Sequence, residues 1–106
     1  MSMNTVKTLT RSHHLTLAIA ETSTGGMIAN MLTDQAGSSA FFNGSIVAYS
    51  YDSLRDILRV KPETLDLHGA VSEATVREMA QSVRQILDAD IGIGICGITG
   101  PNGGTV

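Results

Sequence analysis

Residues 15–26, which read LTLAIAETSTGG, join an apolar run of strand length to a segment made only of small residues. After this segment Met27, Ile28, Met31 and Leu32 recur at helical spacing, and this spacing predicts an amphipathic helix. A hydroxyl side chain from the small segment would cap that helix. The stretch therefore predicts a strand, a loop rich in Gly and Thr, and the start of a helix.

The rest of the chain continues this alternation. A second strand is predicted at residues 45–50, and a third at residues 91–95, which are fully apolar and therefore expected to be buried on both faces. Between them we predict short helices at residues 52–58 and after Pro62, and a longer helix capped by Ser72. Strands that alternate with helices indicate an α/β fold with a mainly parallel sheet. In such sheets the ligand binds at the carboxyl ends of the strands.

Composition limits the class of protein. The chain has 106 residues, of which 42% are hydrophobic, as expected for a single folded domain. A net charge of −3 and the lack of a Lys/Arg cluster argue against nucleic acid as a partner. Cys96 is the one cysteine, which suits a reducing compartment, and no apolar run reaches the roughly 20 residues of a membrane span. We therefore expect a cytoplasmic domain with no membrane partner.

Two glycine motifs have both a functional and a structural interpretation. Gly25 and Gly26, at the start of the predicted helix, either bring backbone N–H groups close to an anion or make a tight turn, and both interpretations stay open. Gly92, Gly94 and Gly97 match G-x-G-x-x-G, but they lie within a predicted strand and no helix follows them. The dinucleotide fingerprint needs that helix. We predict instead that these glycines let a helix pack closely on the strand.

The histidines do not form a metal-binding pattern. His13 and His14 are adjacent and would diverge on a helix, and His68 is distant in sequence. We expect His14 and His68 on the surface, and we expect neither a metal ion nor a cofactor.

Five stretches occur in a fixed order along the chain. They are ETSTGG at residues 21–26, GSS at 37–39, GSIVAYS at 44–50, HGAVSE at 68–73 and GITGPNGG at 97–104. Together they resemble the C-terminal domain of the CinA (competence/damage-inducible) family, also found as a stand-alone nicotinamide mononucleotide amidohydrolase. The resemblance implies a three-layer α-β-α sandwich, with residues 1–106 forming one such domain that lacks the family's last strands and final helix.

The resemblance also implies a reaction, the hydrolysis of the carboxamide of nicotinamide mononucleotide to nicotinate mononucleotide and ammonia. Family members use a serine nucleophile, a lysine as its base and a tyrosine that helps to position them. Here the serine position is Thr22, the tyrosine position is Tyr49 and the lysine position is Leu54. Because leucine cannot accept a proton, the alternative is a catalytically lapsed relative that still binds a nucleotide.

The matched motifs imply the ligand-binding residues as well. They are Ser23, Thr24, Gly25, Gly26, Ser38, Ser39, Gly97, Gly100 and Gly103. The expected partner is a small phosphorylated, nucleotide-like ligand. A three-stranded sheet would also leave an edge exposed, and this favours a homodimer.

Overall fold

The computed structural model of the protein describes residue 5 and residues 14–22, 27–34 and 36–97. No helix in this part of the chain has the length and apolar character that a membrane crossing requires.

Within the described residues, three strands form a single parallel sheet. Strand β1 spans Leu17–Glu21, β2 spans Phe42–Val47 and β3 spans Ile91–Ile95. Their order is β2-β1-β3, and β1 pairs in parallel with both neighbours. All five residues of β1 are buried because β1 is the central strand. The predicted parallel α/β fold is confirmed.

Four helices and one short 3-10 turn connect the strands. Helix α1 spans Met27–Thr33 and the 3-10 turn spans Ser38–Ala40, both between β1 and β2. Helices α2 (Tyr51–Asp56), α3 (Pro62–His68) and α4 (Glu73–Ile86) lie between β2 and β3. Because every connection between parallel strands contains a helix, the chain follows the βαβ pattern.

The two faces of β1 pack against different helices. Leu17 and Ile19 share a buried cluster with Leu32 of α1. Ala18 and Ala20 face the other way, into a cluster that includes Met79 and other residues of α4. Successive side chains on a strand point to opposite faces, so these two clusters lie on opposite sides of the sheet. The structure is therefore the three-layer α-β-α sandwich that the resemblance implied.

The second strand lies earlier in the chain than the predicted residues 45–50, because β2 spans Phe42–Val47. Ser50 belongs instead to a helix start, where its Oγ accepts a hydrogen bond from the backbone N–H of Ser53 and the Ser53 side chain accepts one from the N–H of Ser50. This capping box satisfies backbone groups that a strand would have used. Helix α2 consequently begins at Tyr51.

The third strand matches its predicted bounds but not its predicted burial. The prediction that β3 is buried on both faces is wrong, because Ile93 is 37% exposed and, among the described residues, β3 pairs only with β1. The prediction of close helix packing is confirmed. A Cβ added at Gly92 would lie 2.1 Å from the carbonyl oxygen of Ala80, and one at Gly94 would lie 2.4 Å from that of Val76.

Candidate active site at the carboxyl edge of the sheet

The carboxyl ends of the three strands meet at one edge of the sheet. Glu21 is in register with Val47 of β2 and with Ile95 of β3. Two hydrogen bonds continue the pairing past the ends of the strands. The N–H of Thr22 donates to the carbonyl oxygen of Ile95 at 3.1 Å, and the N–H of Ala48 donates to that of Glu21 at 2.9 Å. The segments that follow β1, β2 and β3 therefore converge.

Thr22 is half-buried at this edge, next to the fully buried Glu21. Strand alternation places Glu21 on the α1 face, with Leu17 and Ile19. The last register pair is Glu21 with Ile95, and Thr22 and Cys96 directly follow these two residues. Cys96 packs against the buried cluster on the α4 face. A hydroxyl residue and a thiol residue thus follow the ends of two neighbouring strands.

Cys96 links this position to the start of α4. Its Sγ lies 3.9 Å from the backbone oxygen of Ser72, the residue that caps α4. The Ser72 hydroxyl accepts a hydrogen bond from the N–H of Thr75 and donates one to the carbonyl of Gly69. Sequence reasoning did not include Cys96 among the site residues, and its contact with Ser72 directly after β3 identifies it. Because Cys96 contacts Ser72, the N-cap of α4, the positive end of the α4 dipole lies at the candidate site.

Tyr49 lies at the rim of the same edge. It follows Ala48, which is only 1% exposed, whereas Tyr49 itself is 70% exposed. Tyr49 thus lies two residues after the end of β2, and its side chain is largely in solvent.

Leu54 lies in the hydrophobic core. Its side chain is 1% exposed, and it belongs to the buried cluster on the α4 face of the sheet together with Ala48 and Val60. The position at which the resemblance implies a lysine is therefore a buried, apolar position in this chain, and it holds no group that accepts a proton.

The neighbouring Arg55 does not replace that lysine. It is an exposed residue whose guanidinium binds Asp56 at 2.8 Å and Asp52 at 3.1 Å. The hydrogen bond to Asp56 is the main cause of a raised pKa at Arg55 and of a lowered pKa at Asp56. Arg55 therefore remains protonated and cannot act as a general base.

Ser38 and Ser39 lie near the amino ends of the strands, on the side of the sheet opposite the carboxyl edge. Their 3-10 turn leads directly into the amino end of β2, where the N–H of Leu17 donates to the carbonyl of Phe41 at 2.7 Å. Five residues of β1 separate the two edges, a distance of roughly 16 Å at 3.3 Å per residue. Within one chain the structure therefore does not bring these two serines together with Thr22.

The remaining predicted binding residues follow the same strand ends. Gly97 is partly exposed directly after Cys96 and lies at the carboxyl edge. Six others fall outside the described residues, namely Ser23, Thr24, Gly25, Gly26, Gly100 and Gly103.

His14 and His68 are exposed, as expected. Within the described ranges no three side chains of the His, Cys, Asp and Glu types are grouped as a metal site requires.

An open depression of about 420 Å³ lies on the outer side of the α4 start. Its lining consists of His68, Ser72, Glu73, Ala74 and Arg77. The two charged side chains already pair with each other, since Arg77 donates to Glu73 at 2.7 Å. The depression therefore has room for a small ligand, but Glu73 and Arg77 neutralise each other's charge there.

Comparison with known proteins connects this arrangement to one family. The family model of the CinA C-terminal domain matches residues 1–106. A CinA-like protein of Shewanella pealeana is 55% identical over 91 residues, which are 86% of this chain and 22% of that protein. A CinA-like protein of Shewanella piezotolerans is 56% identical over 90 residues, or 21% of its length. The chain thus spans about a fifth of the length of these curated relatives.

Solved structures show the same fold. The competence or damage-inducible protein of Enterobacter asburiae superposes with a TM-score of 0.93 at 39% identity, and the match covers 96% of this chain and 64% of that one. A CinA superfamily protein of Escherichia coli gives a TM-score of 0.92 at 31% identity, covering 96% and 59%. The fold, the ordered motifs and these matches agree, and the chain belongs to the CinA C-terminal domain family.

Proposed function

We propose that the carboxyl edge of the sheet binds nicotinamide mononucleotide and hydrolyses its carboxamide, with Thr22 as the nucleophile. The observation that carries the proposal is the backbone hydrogen bond from Thr22 to Ile95, at the end of the central strand. It holds the residue in the family's serine position at the edge where parallel α/β sheets bind their ligands. Tyr49 and Gly97 follow the two flanking strands at the same edge.

The reaction would proceed in two steps. In the first, the Thr22 oxygen attacks the carboxamide carbon, its proton passes to the departing nitrogen, and ammonia leaves an ester of nicotinate mononucleotide on the protein. In the second, water attacks the ester carbon, which releases nicotinate mononucleotide and returns a proton to the Thr22 oxygen. Each step needs a proton acceptor, because a hydroxyl is a weak nucleophile until it is deprotonated.

The start of α4 supports a phosphate-bearing ligand. This 14-residue helix has its amino end at the carboxyl edge, as the contact between Cys96 and Ser72 demonstrates. The amino end of a helix is electropositive, so it attracts a phosphate group. The protein does not need a net positive charge for such an interaction, which agrees with its formal charge of −3.

The burial of Leu54 favours a second candidate function, the binding of the nucleotide with little or no hydrolysis. Leu54 is 1% exposed and apolar, so the family's base is replaced by a packed core residue. Loss of a general base costs roughly 10²- to 10⁴-fold in rate. The extra methyl group of threonine, relative to serine, also crowds the attacking oxygen.

Incubation with nicotinamide mononucleotide tests both candidates. The hydrolase releases equal amounts of ammonia and nicotinate mononucleotide, and Thr22→Ala abolishes both products. The binder releases neither product, but its melting temperature rises with nicotinamide mononucleotide concentration because the ligand stabilises the native state. Nicotinamide riboside, which lacks the phosphate, is the matched control ligand. Absence of both turnover and a thermal shift would reject both candidates.

A further inference from the structure

Threonine hydroxyls tie helix α3 to helix α4 at both ends of α3. At its start, the hydroxyl of Thr64 donates to the carboxylate of Glu78 on α4, which also accepts a hydrogen bond from the backbone N–H of Lys61 at 2.9 Å. Lys61 caps α3 without a side-chain hydrogen bond of its own, so Glu78 supplies the acceptor that an N-cap side chain usually provides. At the end of α3, the hydroxyl of Thr75 donates to the carbonyl oxygen of Gly69 at 2.7 Å. The two helices are therefore held together as one unit.

The tie at Gly69 is buried and doubled. Thr75 is 0% exposed, and the hydroxyl of Ser72 donates to the same carbonyl oxygen at 3.1 Å. Gly69 has φ 79° and ψ 173°, a backbone conformation that is essentially restricted to glycine. Its N–H donates to the carbonyl of Leu65 at 2.9 Å, so both of its backbone polar groups are bonded. The turn of residues 69–72, which leads from α3 into α4, is consequently fixed at its first residue.

The same turn ends at the candidate site. The Sγ of Cys96 lies 3.9 Å from the backbone oxygen of Ser72, and Cys96 directly follows β3 at the carboxyl edge. Ala70, inside the turn, and Cys96 both pack against the buried cluster on the α4 face. The position of Ser72 relative to the strand ends therefore depends on the turn, and the turn depends on the hydrogen bond from Thr75.

We propose that Thr75 is a positioning residue of the site at the carboxyl edge, because its buried hydroxyl holds the 69–72 turn, and through it Ser72, against Cys96. This role rests on the proposed function, since the ligand is the nucleotide proposed above. Thr75 is fully buried and acts through the turn. Without its hydroxyl the Gly69 carbonyl keeps one hydrogen bond, from Ser72, and the turn gains freedom that a bound ligand must remove at a cost in affinity.

The tie at Thr64 provides a matched comparison. Thr64 and Thr75 each donate one hydroxyl hydrogen bond between the same two helices. Glu78, the partner of Thr64, lies further along α4 than Ser72, by about 9 Å at 1.5 Å per residue. A contribution to stability is expected from both ties, whereas an effect on the site is expected only from Thr75.

Alkylation of Cys96 without ligand tests whether Thr75 holds the turn. Thr75→Val removes the hydroxyl and keeps the branched shape, Thr75→Ser keeps the hydroxyl, and Thr64→Val is the control at the other tie. We expect Thr75→Val to react with iodoacetamide at least about threefold faster than the parent, because the thiol becomes more accessible when Ser72 is less firmly held. Thr75→Ser and Thr64→Val should keep the parent rate. Equal rates in all of these chains would overturn the proposal.

Calorimetric titration with nicotinamide mononucleotide tests the effect on the site. We expect Thr75→Val to raise the dissociation constant about tenfold, and Thr75→Ser and Thr64→Val to change it less than about twofold. Similar losses of affinity in Thr75→Val and Thr64→Val would overturn the proposal, because they would reduce Thr75 to a structural role.

The two measurements distinguish this inference from the proposed function. A parent chain that does not bind nicotinamide mononucleotide would reject the proposed function and with it the role of Thr75 in affinity, while the alkylation rates still decide whether Thr75 holds the turn. A parent chain that binds the nucleotide no better than Thr75→Val does would overturn this inference alone.

A nuclear magnetic resonance titration of the parent chain covers the case in which Thr75→Val fails to fold. The amide resonances of Gly69 and Thr75 should shift when nicotinamide mononucleotide is added, because the turn borders the ligand. Those of Lys61 and Glu78, at the other tie, should shift little. Equal shifts at the two ties, or unchanged resonances of Gly69 and Thr75 in a chain that binds the nucleotide, would contradict the proposal.

Discussion

The backbone N–H of Thr22 donates a 3.1 Å hydrogen bond to the carbonyl oxygen of Ile95, and this bond joins the ends of β1 and β3. Thr22 and Cys96 directly follow the last register pair of these strands, Glu21 and Ile95. The thiol in turn lies 3.9 Å from the backbone oxygen of Ser72, at the start of α4. A chemically reactive side chain thus reports on the proposed nucleotide site.

Cys96 is expected to be protected from alkylation by bound nucleotide. Because a ligand at Thr22 would cover the adjacent thiol, saturating nicotinamide mononucleotide should slow the reaction of Cys96 with iodoacetamide about tenfold or more. Mass spectrometry of the intact chain measures the rate, and Cys96→Ser is the unreactive control. An alkylation rate that is unchanged at a ligand concentration giving a full thermal shift would place the ligand elsewhere.

Restoring the family residues should restore activity. Thr22→Ser removes the methyl group beside the hydroxyl, and Leu54→Lys supplies a base in a desolvated position, where burial lowers the pKa of a lysine and favours its neutral form. We expect the double variant to release ammonia at least about tenfold faster than the parent. A general base usually accelerates a reaction by roughly 10²- to 10⁴-fold.

The control for this rescue is Thr22→Ser with Leu54→Met, which keeps the length of the new side chain without its amine. Thermal unfolding identifies variants that do not fold, since lysine in the core is destabilising. A folded lysine variant that binds the nucleotide and stays inactive would show that residue 54 is not the position of the base.

Ser38 and Ser39 should contribute little to ligand affinity. They lie at the amino edge of the sheet, roughly 16 Å from Thr22 along β1. Replacing both with alanine should change the dissociation constant for nicotinamide mononucleotide less than about twofold, as measured by calorimetry. Thr22→Ala is the comparison. A tenfold loss in the serine variant would indicate that the two serines reach the ligand, for instance from a second copy of the chain.

Alanine at Gly94 should destabilise the protein. Its Cβ would lie 2.4 Å from the carbonyl oxygen of Val76, and a helix backbone cannot yield without separating α4 from β3. We expect a loss of about 1–3 kcal/mol in the free energy of unfolding, the usual cost of overpacking. Urea denaturation measures it. Ile93→Val, at a partly exposed position of the same strand, should cost only about 0.5 kcal/mol, and equal losses would contradict the close contact.

Much of the fold follows from local sequence. Ser72 followed by apolar residues at helical spacing predicts the start of α4, and Ser72 does cap that helix. The apolar residues 91–95 predict β3 with correct bounds. The bounds of β2 were not predictable in the same way, because the capping box of Ser50 and Ser53 competes with the strand for the same backbone.

The sequence by itself determined the α/β class, the family and the residues at the three positions that the resemblance assigns to catalysis, because local periodicity and ordered motifs are properties of neighbouring residues. Only the tertiary structure decided that Cys96 and Thr22 follow neighbouring strands, that Leu54 is a core residue, that Ser38 and Ser39 lie at the amino end of the strands, and that Ile93 of β3 is 37% exposed. Those four facts depend on strand order and register, which are set by contacts between segments tens of residues apart, and no local pattern encodes them.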